Sequence, residues 1–252
     1  MHRLLPSFRR VQFVLAVCMS TIVFATTWGW TQTQTSPRAP APEIKTDSKI
    51  NEPFKKPDVK RFIATFESDS REIYTKRLEI LSSLGLTPGM AVADVGAGTG
   101  LFTRLFAEKV GPTGKIYAVE ISPEFLSHIA DDARKRGQTQ VVTVLGSQES
   151  TNLPQESVNL VFLCDVYHHL EKPTKTLASI RRALKPGGRL VVIDFDRVQG
   201  RSAEFVLKHV RASKSVFLKE IEAAGFTLLP IPKLPTLKEN FFLSFKIVGS
   251  RQ

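Results

Sequence analysis

The chain has 252 residues, a formal net charge of +11, a pI near 9.8 and an apolar fraction of 42%. That length allows one full α/β domain with an appendage, and the apolar fraction is that of an ordinary globular protein rather than a disordered one. A basic balance suits anionic neighbours. Here the basic residues are scattered, without a run of five or a recognition-helix signature, and residues 1–60 alone hold nine Lys/Arg against four Asp/Glu, so no nucleic-acid partner is expected. The two cysteines, Cys18 and Cys164, stand in unrelated segments, and no Cys/His spacing marks a structural zinc site.

Arg3, Arg9 and Arg10 precede an apolar run from Val11 to Ala25, a charged segment followed by a hydrophobic one. Val23 and Ala25 suit cleavage after Ala25. Counted on through Trp28 to Trp30 the stretch reaches 20 residues, enough to span a bilayer with interfacial tryptophans. Residues 1–30 therefore read as a signal peptide or a signal anchor. The positive-inside bias sends residue 31 onward out of the cytoplasm, into a bacterial periplasm, with a cytoplasmic-facing anchor as the alternative. Residues 31–60, with prolines at 37, 40, 42, 53 and 57, read as a flexible linker.

The folded domain is expected over residues 61–252. Asp69 to Glu72 has the form of a capping box, and Ile73, Ile80 and Leu84 recur at helical spacing up to Gly85. A buried strand up to Val95 then runs into Gly96-Ala97-Gly98-Thr99-Gly100 and a helix from Thr99 to Lys109. Glycines there allow positive φ and close approach of a ligand. A dinucleotide-binding turn needs glycine one place later, where Leu101 stands. A second strand, Lys115–Glu120, ends in a carboxylate able to accept bonds from both hydroxyls of a ribose. Ser122, Pro123 and Glu124 open the next helix as N-cap, N1 and dipole partner, and Gly137 ends it.

A third strand covers Gln140–Leu145 and a fourth Val158–Cys164, followed by Asp165-Val166-Tyr167-His168-His169. Pro173 opens a further helix, and Leu184 to Gly188 reads as a turn before a fifth strand, Leu190–Phe195. A last helix, Ser213–Ala224, and two closing strands, Phe226–Leu229 and Asn240–Val248, complete the chain.

The stretch from Asp94 to Gly100, with Glu120 downstream and the Leu184–Gly188 turn, resembles the class I S-adenosylmethionine-dependent methyltransferases, in particular their small-molecule branch and its quinone-biosynthesis C-methyltransferases. The resemblance implies a three-layer, Rossmann-like α/β fold, with a mostly parallel seven-stranded sheet closed by an antiparallel C-terminal hairpin. It implies S-adenosylmethionine as cofactor and a small-molecule substrate. The cofactor would be held by Asp94, Gly96, Ala97, Gly98, Gly100, Glu120, Ile121, Ser147, Gln148 and Asp165, with Asp94 toward its amino group. Near here the family often carries an acidic residue for the adenine amino group; this chain instead has Ser147, Gln148 and Glu149, of which Gln148 or a backbone group could serve.

Asp165, Tyr167 and His168 are the catalytic candidates, with His169 and His209 beside them, and the paired histidines could act as a base or hold the substrate. No third ligand at metal spacing is apparent, so no metal is expected. Tyr74 and Arg77 fall on the N-terminal helix that helps to build the substrate pocket in this family. Two other readings stay open: a non-catalytic, membrane-tethered cofactor-binding or scaffold module, and an NAD-dependent oxidoreductase. An exported domain would also sit apart from the cytoplasm, where the cofactor is made.

Overall fold

The computed structural model describes residues 46–230 and 235–248. Strands β1 (Ala91–Val95), β2 (Lys115–Glu120), β3 (Val141–Leu145), β4 (Val158–Cys164), β5 (Leu184–Phe195), β6 (Phe226–Leu228) and β7 (Asn240–Ile247) form one sheet in the order β3-β2-β1-β4-β5-β7-β6. The first five are mutually parallel, and β7 runs antiparallel to both β5 and β6. The strand order reverses at β1, which lies between β2 and β4. In an open α/β sheet that reversal opens a crevice at the carboxyl ends of the strands.

β1 is buried at all five positions, as a strand covered on both faces must be, whereas β3 at the sheet edge leaves Val142 and Leu145 exposed. The pleat sends alternate residues of β4 and β5 into two separate cores. Leu160, Phe162, Val191 and Ile193 face Phe102, Phe106, Ile80 and Leu84, while Val161, Leu163, Leu190 and Val192 face Leu177, Ile180, Phe217 and Ile221.

The helices are α1 (Glu52–Lys55), α2 (Val59–Phe66), α3 (Glu72–Thr75), α4 (Arg77–Ser83), α5 (Leu101–Val110), α6 (Pro123–Lys135), α7 (Pro173–Ala183), α8 (Glu204–His209) and α9 (Lys214–Ala223). Ser122 caps α6 as its sequence implies, its hydroxyl accepting the Phe125 N–H at 3.4 Å. Among the described residues no helix is long and apolar enough to cross a membrane. The apolar segment of residues 1–30 lies outside the described residues, as does the linker expected over 31–45.

Four local expectations are corrected. Residues 48–60 are not linker: a 3₁₀ turn at Ser48–Asn51, α1 and the start of α2 occupy them, with Asp47 and Asp58 capping the turns. The helix expected after residue 69 is broken at Lys76 into α3 and α4, and its capping box does not form. Glu72 instead turns its carboxylate to the backbone N–H groups of Lys238, Glu239 (2.9 Å) and Asn240 (3.1 Å) at the start of β7. The turn at Leu184–Gly188 is built into β5 as an irregularity, since Val158 pairs with Leu184 but Leu160 already pairs with Arg189. Helix α8 had no sequence signal, being a single short run between two loops.

Glu72 is thus the tie between the N-terminal helices and β7. Glu72→Ala is expected to lower the unfolding free energy by about 1–3 kcal/mol, the range for a lost charged acceptor, measured by denaturant titration. An unchanged midpoint would show that the tie contributes nothing.

Candidate active site

β1 ends at Val95 and the chain turns through Gly96, Gly98 and Gly100 into α5, all three with left-handed φ (+72°, +54° and +79°). At Gly96 the demand is also steric. A Cβ there would lie 2.4 Å from Val166 Cγ2, because the loop after β4 closes directly on the loop after β1. The N–H groups of Gly96 and Ala97 donate to the Val119 carbonyl of β2 at 2.8 and 3.2 Å. Gly98 N–H donates to Glu120 Oε1 at 2.7 Å, and Ile121 N–H to Glu120 Oε2 at 2.9 Å. One position before the loop, buried Asp94 accepts the Thr103 hydroxyl at 2.7 Å.

Burial pushes Asp94 up to about 7, with the Glu120 charge adding to the rise and the Thr103 bond opposing it. Burial raises Glu120 as well, against its backbone donors.

These groups line one wall of a cavity of about 1220 Å³. That exceeds the roughly 300–1,000 Å³ of a drug-sized site and leaves room for a second molecule beside a nucleoside. Phe54, Phe62 and Phe66 form an aromatic wall, with neighbouring ring centroids 5.0–5.2 Å apart. Ser147 and Gln148 lie on the same cavity, though the Ser147 hydroxyl is taken by the N–H groups of Glu149 and Ser150 and the Gln148 carbonyl by Thr176.

The far wall is built by the loop after β4. Asp165 adopts a left-handed φ of 54°, a conformation that Asp tolerates better than most residues. Its carboxylate pairs with Arg71 and accepts the Asn240 amide at 2.6 Å. Burial raises its pKa even so, the Arg71 charge working against the rise. His168, 1% exposed, directs Nδ1 to Asp194 Oδ1 at 2.7 Å, and its backbone N–H donates to Asp194 Oδ2 at 3.0 Å. Its Nε2 is buried and has no hydrogen-bond partner among the described residues. His169 shares Nδ1 with Asn51 Oδ1 at 2.8 Å, and burial depresses its pKa to about 2. Burial also lowers His209 on α8. All three histidines line the cavity.

The fold thus gathers Asp94, Gly96, Ala97, Gly98, Glu120, Ile121, Ser147, Gln148, Asp165 and His168 around one space, whereas Gly100 does not line it and turns its N–H to the Ala97 carbonyl at 2.8 Å. The fold removes Tyr167, which is fully buried among core side chains and donates to Glu220 at 3.1 Å beside Phe217. The two residues are consecutive on one 3₁₀ turn, Tyr167–His169, so their side chains leave it about 120° apart. Tyr74 and Arg77 also lie outside the cavity, the Arg77 guanidinium stacked 4.1 Å over the Tyr74 ring, and the break at Lys76 gives their place to Arg71, Glu72 and Ile73.

Two buried carboxylates, Asp94 and Glu120, flank the glycine loop, and Arg104, whose guanidinium donates to the Thr99 carbonyl, is paired with Glu67. Such a turn suits hydroxyls and an ammonium group and repels a pyrophosphate, so the dinucleotide reading fails on charge as well as on spacing. A family described as "Methyltransferase domain" matches residues 93–192. A solved S-adenosylmethionine-dependent methyltransferase from Aquifex aeolicus superposes with a TM-score of 0.66 at 26% identity, over 77% of this chain and all of that one.

Over this stretch and this fold the chain is similar to the class I S-adenosylmethionine-dependent methyltransferases. A ubiquinone/menaquinone biosynthesis C-methyltransferase of Bordetella avium is 32% identical over 111 residues, 44% of this chain and 43% of that protein. A protein-L-isoaspartate O-methyltransferase of Aeropyrum pernix is 37% identical over 119 residues, 45% of this chain and 42% of that protein. The chain thus spans less than half the length of these curated relatives. These relatives are named for different acceptors, so their likeness does not select a substrate for this chain. The residues of this chain fit the cofactor: a buried carboxylate stands at the end of β1 and another at the end of β2, with a glycine turn between them.

Several partners had no motif to announce them. Asp194 had one usable signal, a lone carboxylate inside the apolar run Leu190–Phe195. Asn51 was read as linker, and Arg71 and Asn240 arrive from opposite ends of the domain.

Asp94 carries a pH signature. Its folded-state value, about 7, lies above the ordinary 3.8, so the folded chain keeps a proton that the unfolded chain has lost. The stability from that proton is complete below the lower value and lost as pH rises through the upper one. Relative to the parent, Asp94→Asn should therefore gain stability progressively across that window in cofactor-free thermal melts. A pH-independent difference would mean that Asp94 is ionised throughout.

Proposed function

We propose that this chain transfers the methyl group of S-adenosylmethionine to a flat, largely apolar small molecule carrying an ionisable oxygen, held in the same cavity. The observation that carries the proposal is the union, in one cavity, of the glycine loop with Glu120 and of the Asp194–His168 pair with its unpartnered Nε2. A cofactor-binding scaffold would have no use for the second group.

When bound, the cofactor supplies an electrophilic methyl group, and proximity to the acceptor provides much of the rate. Glu120 would accept ribose hydroxyls in exchange for one of its two backbone donors, and Asp94 would neutralise an ammonium group as it ionises. At the acceptor end, Asp194 holds the Nδ1 proton of His168, which leaves the Nε2 lone pair toward the cavity. That atom can take a proton, or a hydrogen bond, from an acceptor hydroxyl. Phe54, Phe62 and Phe66 suit a planar ring. The likeness to quinone-biosynthesis C-methyltransferases makes phenolic and hydroxyquinone acceptors the class to try first. In the same proposal residues 11–30 anchor or export the domain, which sets it beside a membrane that holds apolar substrates.

The test is calorimetry of S-adenosylhomocysteine with the full chain, followed by methyl transfer to a panel of phenols. Binding is expected, and Glu120→Ala should weaken it by at least about tenfold, the loss of roughly 1.4 kcal/mol of contact. His168→Gln should leave that affinity intact and lower kcat by about 10²–10⁴-fold, the usual share of a general base. A folded parent that does not bind the analogue would overturn the proposal.

A further inference from the structure

We propose that His168, His169 and His209 form a three-histidine site for a divalent transition-metal ion of the zinc class, at the acceptor end of the cavity. Three of the five histidines of the chain meet here, two from the turn after β4 and one from α8. Their ring centroids are 4.1 Å apart for His168 and His169, and 5.1 Å from each of these to His209. One ring nitrogen of each can be chosen so that all lie within 4.8 Å of one another. Nitrogens about 2.0–2.1 Å from a tetrahedral zinc ion are about 3.3 Å apart. The set is therefore open by a side-chain movement, and His209 is the partner able to make it, from a six-residue helix with its ring stacked on exposed Phe205.

The outer partners are those that a metal site requires. Asp194 engages His168 Nδ1 and Asn51 engages His169 Nδ1, which leaves Nε2 of both rings for an ion. A carboxylate on the distal nitrogen of a ligating histidine sets its tautomer and raises its basicity. His168 Nε2 is the telling atom, since a buried polar nitrogen without a partner is rare in a folded protein. An all-imidazole donor set favours zinc, copper, iron or nickel over magnesium or calcium.

Three protein ligands leave one position open, the arrangement of catalytic rather than structural zinc. That position faces the cavity, where an acceptor hydroxyl could bind the ion, which would raise its acidity so that its proton passes to solvent water, His168 then serving as ligand in place of base. Ion binding stands on the histidine geometry alone; only this use of the ion rests on the methyl-transfer reading.

The full chain, purified without a histidine tag and stripped with chelator, is titrated with Co(II) alone and then with Zn(II). The expected result is one ion per chain, with the visible absorption of tetrahedral Co(II), displaced by zinc. His209→Ala should weaken Co(II) binding by at least about tenfold, and Asn51→Ala by about 10–100-fold, the effect of losing an outer partner. Circular dichroism verifies that both variants fold. Substoichiometric binding, or an affinity unchanged in folded His209→Ala, would overturn the site. S-adenosylhomocysteine binding, measured on the same samples, separates the two readings: Co(II) binding without it sinks the cofactor pocket alone, and the reverse sinks the metal site alone.

Discussion

At Gly96, Ala97 and Gly98 the loop after β1 has no polar side chain with which to hold itself, and its conformation there depends on β2. Its N–H groups at Gly96, Ala97 and Gly98 all find acceptors on the last two residues of that strand, the Val119 carbonyl and the Glu120 carboxylate. Parallel pairing in register, Val95 opposite Val119, brings those acceptors to the right height. The sheet thus shapes the loop before any ligand arrives. It does so with a carboxylate that a ligand must then share, which is why Glu120 is both a structural acceptor and the natural contact for hydroxyls.

A second set of charged contacts roofs the cavity. Glu67 at the end of α2 reaches Thr99 and Arg104 on the glycine-loop side. Arg71 reaches Asp165 after β4, and Glu72 reaches the backbone before β7. Within six residues the chain is tied to three distant parts of the sheet edge. Partly buried ion pairs such as these give modest net stability, because desolvation offsets much of the attraction. Their contribution is positional: they fix where the N-terminal helices lie, and so which aromatic rings form the wall.

The sheet was legible in the sequence because its signals are local. β2 and β4 fall on the expected residues, and the Ser122 cap opens α6 where polarity and proline placed it. The cofactor half was legible for the same reason, since a glycine turn between two strand-end carboxylates is written within 30 residues. What escaped was non-local. Glu72 looked like a capping-box member until β7 claimed its carboxylate, and the residues 48–60 looked like linker because no apolar periodicity announces two short turns. Tyr167 and His168 were equally plausible from spacing. Only the direction of the turn buries one against Glu220 and gives the other to the cavity.

The acceptor end is defined by what Asp194 does to His168. A carboxylate in the middle of an apolar strand is costly unless its charge is used, and here both oxygens are engaged by one residue, through the ring Nδ1 and the backbone N–H. That double contact fixes the position of the imidazole and its tautomer together. The unpartnered Nε2 is then a built feature of the fold and not an accident of packing. His169 and His209 lie beside His168, and burial, with neighbouring histidine charge a smaller cause, lowers the pKa of both. The cavity consequently presents imidazole nitrogen at one end and an acidic cofactor wall at the other, a polarity suited to a proton-bearing acceptor on one side and a positively charged donor on the other.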